Sequence, residues 1–319
     1  METQNENILT ILKQEKDGIL AIRNLRSILI KIQRLRGHSN LFGVLYANSN
    51  ENDTEVYKNK ISQLVEELNK GFSTLDKLLE TNPSLSNIEE ELKKLESNLD
   101  KFNTNIFDLT VLHFDRYTKY VRDTINLIID VADHSYLLAD SDEHQAIILN
   151  IIINIVLNLI ETISKLRAIG VSIISKKVKS IHDTSELEYY IEIIKDYTSA
   201  FNRELDKYSA LIDDNKEREK FFKLKDRLLK DIEYFIKLTE DELLNQDIIF
   251  IEPKYFFEQG DDIINSEALF YEEAFKILDD YITSRISSLS KVVLKEKIAQ
   301  YTVVAGIISF IIYESLSLM

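Results

Sequence analysis

Two arginines stand where an apolar residue is due. Ile22, Leu25, Leu29 and Ile32 recur at three- and four-residue steps, the spacing of one buried helical stripe, and the next position on it is Arg36. Further along, Ile160, Ile163, Gly170, Val171 and Ile174 share one face with Arg167. A lone guanidinium in a helical core is costly, so each arginine must meet a carboxylate, a set of carbonyls or a bound anion. Both are followed closely by glycine, Gly37 and Gly170, and two such forks beside small residues could converge on one planar oxyanion. Gln33 lies one turn before Arg36. Asn150, Asn154 and Asn158 form a polar ridge at four-residue spacing on an otherwise apolar run, which reads either as a seam lining a cavity or as the solvated edge of a buried helix. The arginines likewise have a plain alternative: internal ion pairs, because 54 acidic residues face 39 basic ones.

Other chemistry has little support. His38, His113, His134, His144 and His182 fall in no HExxH or comparable metal spacing. No GxGxxG, phosphate-binding loop or nucleophile elbow occurs, and the carboxylates form no identifiable acid–base pair. The absence of cysteine removes disulfides, thiolate zinc sites and thiol nucleophiles together. A non-enzymatic chain without a cofactor or metal is expected. The formal charge of −15 repels nucleic acid.

The elements that must position these residues are helices. The 319 residues include only two prolines and seven glycines, and the isoleucine runs lack turns at strand spacing. A first helix is predicted from about residue 5 to 46 and a second from Thr54, with Ile61, Leu64, Val65, Leu68, Phe72, Leu75, Leu78 and Leu79 inward. Pro83 breaks the chain, and a third helix continues to about Leu138 without a clear breaker. Asp140 and Glu143 have capping-box spacing ahead of a fourth helix reaching about Lys179. A fifth opens near His182, a sixth ends near Asn245, and a last one starts at Pro253 with Leu269, Phe270, Ala274, Ile277, Leu278, Tyr281, Ile282 and Ile286 inward. The order implies an elongated all-α region at 1–297, two stacked bundles sharing long helices.

The C-terminus differs in kind. Val303 to Tyr313 reads VVAGIISFIIY, preceded by Lys291, Lys295 and Lys297. A full span needs about 20 apolar residues, so residues 298–319 are expected to be a transmembrane segment or its start, with a buried terminal helix as the alternative.

Several segments together resemble a known family. Gln33-Arg-Leu-Arg-Gly-His-Ser39 is similar to the QxxRGxS element of nitrate- and nitrite-sensing (NIT-type) helical domains and related bacterial sensor regions, and Glu15-Lys-Asp-Gly18 resembles the acidic-x-x-Gly element preceding it. Ala132-Asp133-His-Ser-Tyr-Leu-Leu-Ala-Asp140 resembles their ADxSxLxxD stretch, and the segment from Glu161 to Gly170 their ExxxxLRxxG. Phe256-Phe257-Glu-Gln-Gly260, with Ile264 and Asn265, is similar to the FFxxG element before the final helix. Gly37, Ser39, Asp133, Asp140, Gly170, Phe257 and Gly260 are thus motif positions. The resemblance runs from about residue 15 to 290 in order. It departs at Asp261, where threonine is usual; no apolar span precedes residue 15 and no output module follows the tail.

The resemblance implies stacked helical bundles ahead of a membrane helix in chemoreceptors, sensor kinases or diguanylate cyclases, with arginines helping to recognise an anion. The expectation is a ligand-sensing input region of a bacterial signalling protein. A small anion such as nitrate or nitrite would lie between the first and fourth helices, held by Arg36 and Arg167 with Gln33, Asn154 and Asn158 nearby. A homodimer is expected, anchored in the cell membrane through the C-terminal helix. The sensor would be periplasmic if the chain is part of a two-span receptor, or cytoplasmic with a C-terminal anchor. The output module would lie outside this chain. The alternatives are a structural or membrane-tethering helical protein and, less consistent with the regular polar positions, a pore-former using residues 147–174.

Overall fold

A computed structural model describes residues 4–47, 51–108, 113–139, 142–212 and 215–317, and the elements among them are all helical. α1 (Gln4–Ala47) is the axis of the molecule. It packs against α2 (Glu51–Thr81), α4 (His113–His134), α9 (Pro253–Ser317) and α6 (Leu157–Lys176). Residues buried on both sides explain why α1 reads as less cleanly two-faced than α2: Ala21, Ile22, Leu25, Ile28, Leu29, Ile32 and Leu35 are all fully buried. α2 has the expected single stripe, with Ile61, Leu64, Leu68, Phe72, Leu75 and Leu79 in the core.

The third helix is not continuous. A 3₁₀ segment (Pro83–Ile88) leads into α3 (Glu89–Asn103), which ends in a turn before α4. Asn105, Ile106 and Asp108 donate backbone bonds to the carbonyls three residues earlier, and Ile106 is buried. Asn103 caps the new contact by accepting from the Tyr117 hydroxyl at 2.8 Å, while Phe102 meets the Tyr117 ring at 5.0 Å. Asparagine and threonine at 103–105, poor in helix interiors, let the chain fold back where aromatic packing rewards it.

α5 (Glu143–Leu149), a π-helical turn (Asn150–Val156) and α6 follow without a break. The cap is Asp142, whose side chain accepts from the Gln145 backbone N–H; Asp140 lies outside the described residues. The 143–176 stretch is apolar enough to span a membrane, but its apolar window is 72% buried inside the bundle. It is a core helix here. α6 ends on Lys177, held in the left-handed region at φ 57°. Ser180 and Asp183 form a capping box at the start of α7 (Ile181–Ser209), and α8 (Asn215–Thr239) runs into a second π-helical turn (Glu240–Leu244). α6 packs on α7 and α9, and α8 on α9.

α9 spans 65 residues. Phe270, Ala274, Ile277, Leu278 and Ile282 are buried as expected, and Tyr281 and Ile286 partly so. Leu269 is 48% exposed, because it sits about 100° around the helix from Phe270. Beyond Val293 the helix leaves the core, and its apolar window is 0% buried. The accessible surface of 17063 Å² exceeds the roughly 13,600 Å² of a compact chain of this mass. That excess is the mark of an elongated shape with a projecting helix end.

Candidate functional site

Three buried arginine–carboxylate pairs tie α1, α6 and α9 into a triangle, one pair across each seam. Across α1 and α6, Arg36 makes a two-pronged contact with Glu161: Nη1 donates to Oε1 at 2.8 Å and Nη2 to Oε2 at 2.7 Å. Nη1 also donates to the Thr118 hydroxyl at 3.0 Å, and Gln33 Nε2 donates to Glu161 Oε2 at 3.2 Å. Lys165 Nζ lies 3.6 Å from the other carboxylate oxygen. This constellation is nearly saturated, and Arg36 and Gln33 are each 1% exposed.

Across α6 and α9, Arg167 Nη1 donates to Asp261 Oδ1 at 3.0 Å, and its guanidinium lies over the Phe257 ring at 4.3 Å. Burial pulls the Arg167 pKa below the ordinary range; Asp261 opposes this and the nearby Arg36 charge adds to it. Arg167 Nε has no hydrogen-bond partner, and the Asp261 side chain is 24% exposed. The second pair is therefore less complete than the first, and one side of it reaches water.

Across α1 and α9, Arg26 donates to Glu267, with the Tyr271 ring 5.0 Å from the guanidinium. Burial raises the Glu267 pKa, against the opposing charge of Arg26. Sequence reasoning passed over this pair. Its signal was available: Ile22, Arg26, Leu29, Gln33 and Arg36 form a second i, i+3/i+4 row on the same helix.

The glycines explain how the helices come this close. A Cβ on Gly37 would stand 2.5 Å from Arg167 Nη2, and one on Gly260 would stand 2.6 Å from Arg167 Cδ. Arg167 thus threads between two bare backbones, over Phe257. Gly170 leaves room for the Phe256 ring, and Gly18 for the Ser135 side chain, in the same way. Ser39 is buried near Tyr117. Asp133 is exposed, and its carbonyl accepts from the Tyr136 N–H at the turn after α4.

The remaining expected ligand residues do not join the arginines. Asn154 is exposed and donates to Asn150 Oδ1 at 3.1 Å; Asn158 donates to the Asn154 carbonyl at 2.8 Å. The ridge bonds along its own helix. Asn158 alone approaches the triangle, on the wall of a 380 Å³ cleft that also includes Thr118 and Glu161. Arg36 and Arg167 feel each other's charge, but each is turned to its own carboxylate.

His38 completes the region. Its ring lies 5.1 Å from that of Phe257 and 5.4 Å from that of Tyr57, and Nδ1 has no partner. Burial depresses its pKa to about 3, with Asp261 opposing and Arg167, Lys60 and Arg34 assisting. Burial likewise pushes the Tyr57 phenol above its usual range.

Fold and site together define an all-α bundle whose central seams are crossed by buried charge pairs. No family model, curated protein or solved structure matches the chain.

Proposed function

We propose that this chain is the ligand-sensing input region of a bacterial signal-transduction protein, anchored to a membrane by the end of α9. A small ligand would alter how α1, α6 and α9 sit against one another, and α9 would carry the displacement to the bilayer as one continuous helix. The observation that carries this reading is the triangle of ion pairs. It joins α1 and α6 to the one helix whose far end is an exposed apolar run. Further support comes from the motifs. Residues 33–39, 161–170 and 256–265 are far apart in sequence yet meet around Arg167, while Gly18 meets Ser135. A ligand shifts such an assembly only by its differential affinity for two arrangements.

An anion such as nitrate or nitrite would enter at Arg167 by taking the place of Asp261. Arg36 is held by two bonds to Glu161, whereas Arg167 is held by one and keeps an unpartnered Nε. Titration of the chain and of Asp261→Asn with both anions tests this. The variant removes the competing carboxylate, so it should bind at least tenfold more tightly. Failure of both proteins to bind either anion would leave the second reading, a structural or membrane-tethering protein. That reading draws on a specific observation as well, since both arginines already have internal carboxylates.

A further inference from the structure

A second site lies in the cleft between α7 and α8. Its volume is about 870 Å³, within the ~300–1,000 Å³ typical of pockets for organic ligands and far more than a three- or four-atom anion fills. Leu229, Ile232 and Ile236 supply an apolar floor from α8. The helices touch where Tyr208 meets Phe221 at 5.8 Å, and Lys195 reaches Glu240 of the following π-helical turn at 3.3 Å. Thr198 Oγ1 lies on the cleft wall, buried and without a hydrogen-bond partner. A buried hydroxyl left unmatched is a cost that an acceptor in the cleft would relieve.

The rim carries an ordered set of charges. Glu233, Lys237 and Asp241 follow one another at four-residue steps along the cleft, and none has an ion-pair partner among the described residues. Asp241 lies in the π-helical turn 240–244, a local widening of the helix of the kind that often marks functional sites. Lys195 is already engaged by Glu192 and Glu240. The free charges are thus two acids around one base, above an apolar floor.

We propose that this cleft binds a short aliphatic peptide with free termini. The ammonium group is held by Asp241 and the carboxylate by Lys237, one turn away, and the side chains lie on Leu229, Ile232 and Ile236. A peptide carbonyl accepts from the Thr198 hydroxyl. The site uses none of the arginine triangle, so its occupancy does not depend on an anion at Arg167.

The probe is trileucine, titrated calorimetrically into the full chain in detergent at neutral pH. N-acetyl-trileucine tests the amine, and a Ser199→Trp chain with the cleft filled is the reference for uptake by detergent. Saturable binding to the wild type, lost in Ser199→Trp and weakened at least tenfold by N-acetylation, is expected. Asp241→Asn should erase the preference for the free amine, and Thr198→Val should weaken binding several-fold; circular dichroism checks that each variant is folded. Absence of saturable binding overturns the proposal. So does equal binding by Ser199→Trp, or indifference to both acetylation and removal of the Asp241 carboxylate. Self-association of the chain that Ser199→Trp abolishes, without trileucine binding, would make the cleft an interface and overturn it equally.

Discussion

Removing Arg36 from its pair is the perturbation that most directly separates a structural from a ligand-handling role. In Arg36→Met the apolar stem is kept and the guanidinium is lost, leaving Glu161 8% exposed with only Gln33 at 3.2 Å and Lys165 at 3.6 Å. Breaking one half of a buried pair costs about 3–5 kcal/mol, and the nearby Lys165 places this case near the lower end. Near the transition midpoint, about 3 kcal/mol lowers the Tm of a chain this long by roughly 5 °C. Arg36→Met/Glu161→Leu removes both charges, and it should recover most of the loss because no unpaired carboxylate remains. Urea unfolding of the four proteins of the cycle, followed by helical signal in detergent, supplies the coupling free energy. A loss below about 1 kcal/mol for Arg36→Met, or a double variant no better than the single one, would refute the account of Glu161 as the partner that makes Arg36 tolerable. Titrating the same proteins with nitrate adds the functional arm: unchanged affinity beside a large stability loss makes Arg36 structural.

The other expectations rest on separate residues. His38 is neutral in the fold, its pKa depressed to about 3, so its contribution is fully present above the unfolded pKa of about 6.5 and declines as pH falls towards 3. At pH 5 the loss is about 2 kcal/mol, visible as a pH slope in urea unfolding that His38→Leu should flatten. Gly37→Ala puts a methyl 2.5 Å from Arg167 Nη2, and should destabilise by about 1–2 kcal/mol despite better helix propensity. Gly306→Ala, with nothing within 4 Å, should not destabilise in the same thermal melts. Lys177→Gly relieves a left-handed cap residue at φ 57° and should raise stability by about 1 kcal/mol in urea titration. A chain ending at residue 297 should leave the membrane fraction and keep its circular-dichroism helicity, since the apolar window it loses is 0% buried. Single cysteines at the exposed Ser284, Ser287 and Ser288 should crosslink in membranes if α9 pairs with a second copy; no crosslinking at any of them argues for a monomer.

The sequence by itself determined the helical class and most inward faces, because the period of apolar residues reports burial wherever a helix has one buried side. The Ile61–Leu79 stripe of α2 and the Phe270–Ile282 stripe of α9 are of this kind. It also marked Arg36 and Arg167 as charges in a core, since their positions on apolar stripes required partners whatever those were. Which partners could not be read, because a carboxylate of this chain and a bound anion satisfy a guanidinium alike. Only the packing of α6 and α9 onto α1 decided for Glu161 and Asp261. The same packing exposed the Arg26–Glu267 pair, in which two residues 241 apart meet, beyond the reach of local periodicity. The break after Asn103 was missed because its cause lies in the contact of Phe102 and Asn103 with Tyr117, after the chain has turned. The asparagine ridge looked identical for a cavity seam and a solvated edge; in the packed bundle Asn154 is exposed and the ridge bonds along its own helix.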